Sequence, residues 1–196
     1  MGKHLDLGCG LTPRNPYFAQ FTYGCDIREI NASVEELGFV YKKVNLVIEP
    51  IPYPDNYFES VSAYDFLEHI PRQMILSNGE ACNPFTNLMS EIHRVLVPGG
   101  RFLAFTPAFP HSSAFTDPTH VNFITDQTHQ YFIGEYPFAA MYGFKGRFDI
   151  VQARREAPKN FMRLNQPDWR KAIRRIQLKI FSDGLPHMLW ELTARK

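Results

Sequence analysis

The chain has 196 residues, which suits one domain, since domains commonly run to ~100–200 residues. Hydrophobic residues make up 44%, enough to bury a full core, and a formal net charge of +1 offers no electrostatic case for nucleic-acid binding. No apolar stretch approaches the ~18 residues of a membrane span, and Cys9, Cys25 and Cys82 show no metal-type spacing, so a cytoplasmic, reducing setting without a leader segment is expected.

The first predicted strand is "KHLDL", which runs straight into the glycine turn Gly8-Cys9-Gly10. "FTYGCDI" reads as a second strand and "FVYKKVNL" as a third, with a short helix expected in "IREINASVEELG" between them. "FESVSAYDF" follows the turn-rich "PIPYPDNY" as a fourth strand. In "NPFTNLMSEIHRVL", Phe85, Leu88, Met89, Ile92, Val95 and Leu96 recur at helical spacing, and Pro98-Gly99 stops the pattern. "RFLAFTP" is a fifth strand; "RFDIVQARRE" and "HMLWELTARK" are two more near the end. Alternating strands and helices imply an α/β fold of three layers, a mostly parallel seven-stranded sheet between helices. The last two strands lack an ordinary connecting helix, so one of them is expected to run antiparallel at the sheet edge. The long segment 108–146 is rich in Phe, Tyr, His and Pro, a composition that argues for an ordered cap, here also a substrate segment. The whole of 1–196 is read as a single domain, with 159–183 as a basic helical insertion.

In a doubly wound sheet, ligands bind outside the carboxyl ends of the strands, where the strand order reverses. Gly8 and Gly10 sit at such an end and let a ligand approach the backbone. A dinucleotide fingerprint would need a further glycine at position 13, which is Pro13, so a nicotinamide-dependent oxidoreductase fits poorly. Asp26 ends the second strand and has two readings. It can accept both hydroxyl protons of a ribose, or it can cap a helix through "DIRE".

These stretches resemble the class I S-adenosylmethionine-dependent methyltransferases. "LDLGCG" is similar to their first motif and "YGCDI" to the second, which implies Asp26 as the ribose acid. "VNL" before "PIPYPDNYFESV" resembles the adenine-contacting segment. "AYDFLEHI" and "LMSEIHRVLVPGGRFLAFTP" resemble the motifs around strands four and five, and "AFTDPTHVNFIT" a stretch of a small bacterial subgroup. The resemblance implies a Rossmann-like fold and S-adenosyl-L-methionine as cofactor. It places Asp6, Gly8, Cys9, Gly10, Asp26, Ile27, Asn45, Leu46 and Tyr64 around that cofactor. Two departures stand out: Thr12 occupies a position that is glycine in many members, and Asn45 replaces an Asp near the adenine, though its carbonyl is still an acceptor. Only about fifteen residues separate Gly10 from Asp26, so the usual first helix must be short or irregular, with Pro13 and Pro16 disturbing it. The 108–146 segment is expected to cover the open cofactor edge.

Methyl transfer needs aligned partners and, for a hydroxyl acceptor, a general base. Asp65, after strand four, and His111, Asp117 and His120, after strand five, are the candidates. His120 is expected to act as base or to orient the acceptor, with Asp117, three residues earlier, behind it. Asp65 and His111 are expected on the substrate side. Glu68 and His69 are read as packing and surface residues. The spacing of His111, Asp117, His120 and His129 matches no strong metal motif, so no metal is expected. A small-molecule acceptor fits best, with a sugar or glycan hydroxyl hinted at by the subgroup resemblance. A non-catalytic cofactor-binding protein of the same fold is the alternative. In 169–181, basic residues flank Ile173, Ile176 and Ile180, which allows peripheral contact with a membrane but is also the pattern of a helix packed on the sheet. A monomer or a homodimer is compatible with all of this.

Overall fold

The computed structural model describes residues 2–30, 36, 38–158, 168–181 and 184–196. The elements are β1 (Lys3–Leu7), β2 (Phe21–Asp26), β3 (Val40–Lys43), β4 (Phe58–Tyr64), a short hairpin of β5 (Met74–Ile75) and β6 (Ala81–Cys82), α1 (Pro84–Val95), β7 (Leu96–Pro107), α2 (Ser113–Thr116), β8 (Phe148–Glu156), α3 (Asp168–Phe181) and β9 (His187–Ala194). Three 3-10 turns lie at Leu67–His69, Thr128–Phe132 and Phe138–Tyr142. The helix expected in "IREINASVEELG" falls largely outside the described residues, as does much of 159–183 beyond α3.

Seven strands form one sheet in the order β3-β2-β1-β4-β7-β9-β8. The first five are mutually parallel; β9 runs antiparallel to both β7 and β8. The antiparallel pairing expected at this side of the sheet is therefore made by β9, and β8 lies outermost. The strand order reverses at β1, so the crevice between β1 and β4 is where a ligand is expected. Pro107 and Glu156 both pair with His187. The start of β9 thus lies on the same rim as the carboxyl ends of the parallel strands.

The alternation of strand side chains divides the interior. One face carries Leu5, Leu7, Val61, Phe102, Ala104, Met188 and Trp190. α1 packs there through Phe85, Leu88, Met89, Ile92 and Val95, with Pro84 in its first turn, where a missing N–H costs nothing. Truncating a side chain such as Ile92 to alanine would cost about 2–5 kcal/mol. Ile124, Phe132, Ala139 and Phe144 enter the same core. Through these residues the 108–146 segment packs with β7, β8 and β9, the half of the sheet away from β2 and β3, rather than along the cofactor edge it was expected to cover.

The second face is narrower and more polar. Tyr64, Leu103, Phe105 and Leu189 form its apolar cluster, with Tyr17 packed on it. No helix forms among residues 8–20, as the two prolines led one to expect. The irregular segment is pinned instead. Tyr17 donates to Glu191 at 2.9 Å, the Arg14 guanidinium sits 4.4 Å from the Tyr64 ring centroid, and the Arg14 N–H donates to Asp6 Oδ2 at 2.8 Å. Beneath it runs a buried chain. Ser62 donates to Asp6 Oδ1 at 2.5 Å, so it accepts from His4 Nε2 at 2.9 Å, and the remaining His4 nitrogen accepts from Ser60 at 2.7 Å. Burial keeps His4 neutral, with its pKa lowered to about 4, and raises Asp6 to about 6.

Candidate active site

The cofactor half is built on the turn after β1. Gly8 and Gly10 have φ of +66° and +57°, where a side chain is strained. A Cβ on Gly8 would lie 2.4 Å from the Phe66 ring, so that glycine is demanded by packing. A Cβ on Gly10 would meet only the Arg28 guanidinium, at 3.5 Å, so that glycine keeps its side open. Asp26, 6% exposed, binds the turn itself: its Oδ2 accepts from the Gly10 N–H at 2.8 Å and its Oδ1 from the Arg28 N–H at 3.1 Å. The Arg28 Nε also lies 3.4 Å from Oδ1, so part of the carboxylate's capacity of about four acceptor sites remains for a ribose hydroxyl. Ile27 beside it is exposed. Asn45 organises the turn after β3, accepting from Val47 N–H at 3.2 Å while its own N–H donates to Glu49 at 2.9 Å. Leu46 turns into the core, so only its backbone is open to a ligand. Cys9 packs over Gly24, and burial with the nearby Asp6 and Asp26 charges pushes its thiol up to about 12, which rules it out as a nucleophile. A glycine turn, a strand-end carboxylate and an exposed isoleucine fit the ribose and adenine of S-adenosylmethionine.

The candidate acceptor side is a cavity of about 600 Å³ lined by Asp65, Glu68, His69, Pro107, His120 and His187, among others. Asp65 has φ +48°, a conformation Asp tolerates better than most residues. It does not cap the following 3-10 turn; its Oδ1 accepts from His187 Nε2 at 2.9 Å. His187 stacks on Phe105, with ring centroids 4.6 Å apart, and its Nδ1 is buried without a partner.

Glu68 is 1% exposed and belongs to this cavity, not to the surface. Its Oε2 accepts from Thr106 at 2.7 Å, its Oε1 has no hydrogen-bond partner, and burial raises its pKa to about 7. His69, from the same turn, lies with its ring centroid 4.9 Å from that of His120.

Asp117 does not stand behind His120. Its Oδ1 is taken by the Thr119 N–H at 2.8 Å and hydroxyl at 2.7 Å, the closed turn that Asp-Pro favours. The His120 ring is held by the Ala114 carbonyl, 3.1 Å from Nδ1. His111 faces its own turn, where Nδ1 accepts from the Ser113 N–H at 3.1 Å; Ser113 and Thr116 line the cavity at this point. His129 is buried against Trp190. The cavity therefore brings together Asp65, Asp117 and His120, but not His111, and adds Glu68, His69 and His187. His187 was missed because it lies 122 positions from Asp65. Its only signal was its place at the start of the last strand.

A family model described as a methyltransferase domain matches residues 5–104. No curated protein matches. Among solved structures, the YcgJ protein from Bacillus subtilis is 18% identical, with 100% of this chain and 92% of that one covered and a TM-score of 0.54. An S-adenosylmethionine-dependent methyltransferase from Mesorhizobium loti is 14% identical over 98% and 90%, with a TM-score of 0.58. A second such enzyme, from Archaeoglobus fulgidus, is 15% identical over 98% and 86%, with a TM-score of 0.55. These likenesses agree with the strand order, and the family match spans the glycine turn, Asp26 and the strand-four and strand-five segments. The chain belongs to the methyltransferase-domain family, as a class I methyltransferase that uses S-adenosylmethionine.

Proposed function

We propose that this methyltransferase methylates a hydroxyl of a small molecule, of the sugar or glycan type, seated in the Asp65–His187 cavity. The observation that carries the reading is the Asp65–His187 pair at the carboxyl end of β4. When bound, S-adenosylmethionine supplies a methyl group on a positively charged sulfur, an electrophile that needs no further activation. Gly8, Gly10 and Asp26 fix its position. An acceptor hydroxyl seated against Asp65 would give its proton to that carboxylate as its oxygen took the methyl group that the cofactor would supply. His187 holds the Asp65 carboxylate in place, and Phe105 holds the His187 ring. His120 orients the acceptor from the same cavity. A volume of about 600 Å³ is that of a small-molecule pocket.

The test is release of S-adenosylhomocysteine when hydroxylated sugars are offered with the cofactor. Acceptor-dependent release, lost in Asp65→Asn, supports the reading. Turnover only on amines or thiols opposes it, and no turnover on any acceptor favours the non-catalytic alternative.

A second observation concerns α3. Of the stripe Ile173, Ile176 and Ile180, the first two are 47% and 57% exposed and the third side chain lies outside the described ones; Trp169, one turn before Ile173, is 60% exposed. α3 is tied to the rim through Arg175 and Glu156. Among the described residues no helix is long and apolar enough to cross a membrane. An exposed Trp–Ile stripe flanked by Arg170 and Arg174 suits peripheral contact with an anionic lipid surface.

A further inference from the structure

In the acceptor cavity, three side chains turn lone pairs toward one another. The Ala114 carbonyl can only accept, so the neutral His120 ring carries its proton on Nδ1 and its lone pair on Nε2. That Nε2 lies 4.0 Å from Glu68 Oε1. Thr106 occupies the other Glu68 oxygen, and Oε1 is buried with no hydrogen-bond partner. Thr119 donates its hydroxyl to Asp117, so it accepts from His69 Nδ1 at 3.0 Å, which leaves the His69 lone pair on Nε2. Glu68, His69 and His120 offer ligand atoms that all lie within 4.8 Å of one another. Acceptors gathered in this way call for a shared positive charge.

We propose that Glu68, His69 and His120 bind a divalent first-row transition-metal ion on the acceptor side of the site. Two imidazoles and one carboxylate form a donor set that suits such ions and leaves coordination positions open. Ligand atoms around a tetrahedral zinc stand about 3.3 Å apart at bonds of ~2.0–2.1 Å, so the separations need to close by up to about 1.5 Å. The supporting contacts are those metal-bound histidines use: a backbone carbonyl behind His120 and a hydroxyl relayed to a carboxylate behind His69. Sequence spacing gave no warning, because two ligands are adjacent on one 3-10 turn and the third lies about fifty residues on. An acceptor hydroxyl in an open position of the ion would be more acidic, and its proton would leave to Asp65. That consequence rests on the functional reading above; binding of the ion does not.

The test is titration of chelator-stripped protein with Co2+, read by visible absorbance, and with Zn2+, read by equilibrium dialysis. One equivalent per chain is expected. Glu68→Gln, His120→Gln and His69→Gln should each weaken binding by more than the roughly 10–100-fold that loss of a supporting residue costs. His69 is half-buried, so its variant keeps the test open if a Glu68 variant fails to fold. No saturable uptake by folded wild type overturns the proposal, and so does unchanged affinity in folded variants. S-adenosylmethionine titrated into the same samples separates the two claims, since loss of cofactor binding with metal retained sinks only the functional reading.

Discussion

His187 Nε2 lies 2.9 Å from Asp65 Oδ1, joining the first residue of β9 to the first residue past β4. The reversed direction of β9 makes this contact, since it delivers its amino end to the rim where β4 delivers its carboxyl end. Asp65→Asn should lower kcat by roughly 10²–10⁴-fold, the usual worth of a general base. His187→Gln should lower kcat less, and cofactor affinity should hold in both. A purely structural role for His187 would instead lower Tm and leave kcat of the folded protein unchanged.

The two glycines of the cofactor turn should separate in their effects. Gly8→Ala drives a methyl into the Phe66 ring at a positive φ, so a stability loss of roughly 2–4 kcal/mol is expected. Gly10→Ala meets only the flexible Arg28 guanidinium at ordinary contact distance and pays backbone strain, about 1–2 kcal/mol, while cofactor affinity falls. Denaturant unfolding and cofactor titration on both variants check the contrast.

The His4–Ser62–Asp6 chain has a pH signature. Folding raises the Asp6 pKa to about 6, so between its unfolded value of ~3.9 and that figure the folded state holds a proton the unfolded state has lost. Its contribution therefore falls as pH rises through this window. Folding lowers the His4 pKa to about 4, so up to its unfolded value of ~6.5 the unfolded state holds the extra proton, and that contribution rises with pH. The two oppose each other; Arg14 touches both, through its backbone at His4 and through its backbone N–H and its charge at Asp6. Asp6→Asn leaves His4 unopposed. Relative to wild type, its stability should climb between pH ~4 and 6 by at most about 1.4 kcal/mol per pH unit. Urea midpoints at three pH values measure it; parallel curves would refute the assignment.

The exposed stripe of α3 should be dispensable for folding. Ile173→Asn and Ile176→Asn are expected to change stability by less than about 0.5 kcal/mol. Sedimentation with anionic vesicles should fall in the same variants and with added salt. Equal sedimentation of wild type and variants would remove the lipid contact.

Most strands were legible to within a few residues from alternation and turn residues, but β7 starts at Leu96, five residues before the expected start, and runs through Pro98-Gly99-Gly100. The β5–β6 hairpin was not, since two-residue strands have no period to read. The glycine turn and the carboxylate bound to it were visible because Gly8 and Gly10 follow β1 and Asp26 ends β2. The acceptor side was less so. Asp117 and His120 suggested a pair by their spacing, yet Thr119 between them takes the carboxylate. Glu68, His69, His120 and His187 meet only through the sheet topology and the 108–146 segment, which no local pattern encodes.

The most direct measurement is calorimetric titration of wild type and Asp26→Ala with S-adenosylmethionine. The expected result is saturable one-to-one binding to wild type, weakened in the variant by roughly 10–100-fold, the worth of hydrogen bonds to a charged group. Equal affinity in the two proteins would contradict the ribose role of Asp26, and no binding to wild type would contradict the cofactor site as built here.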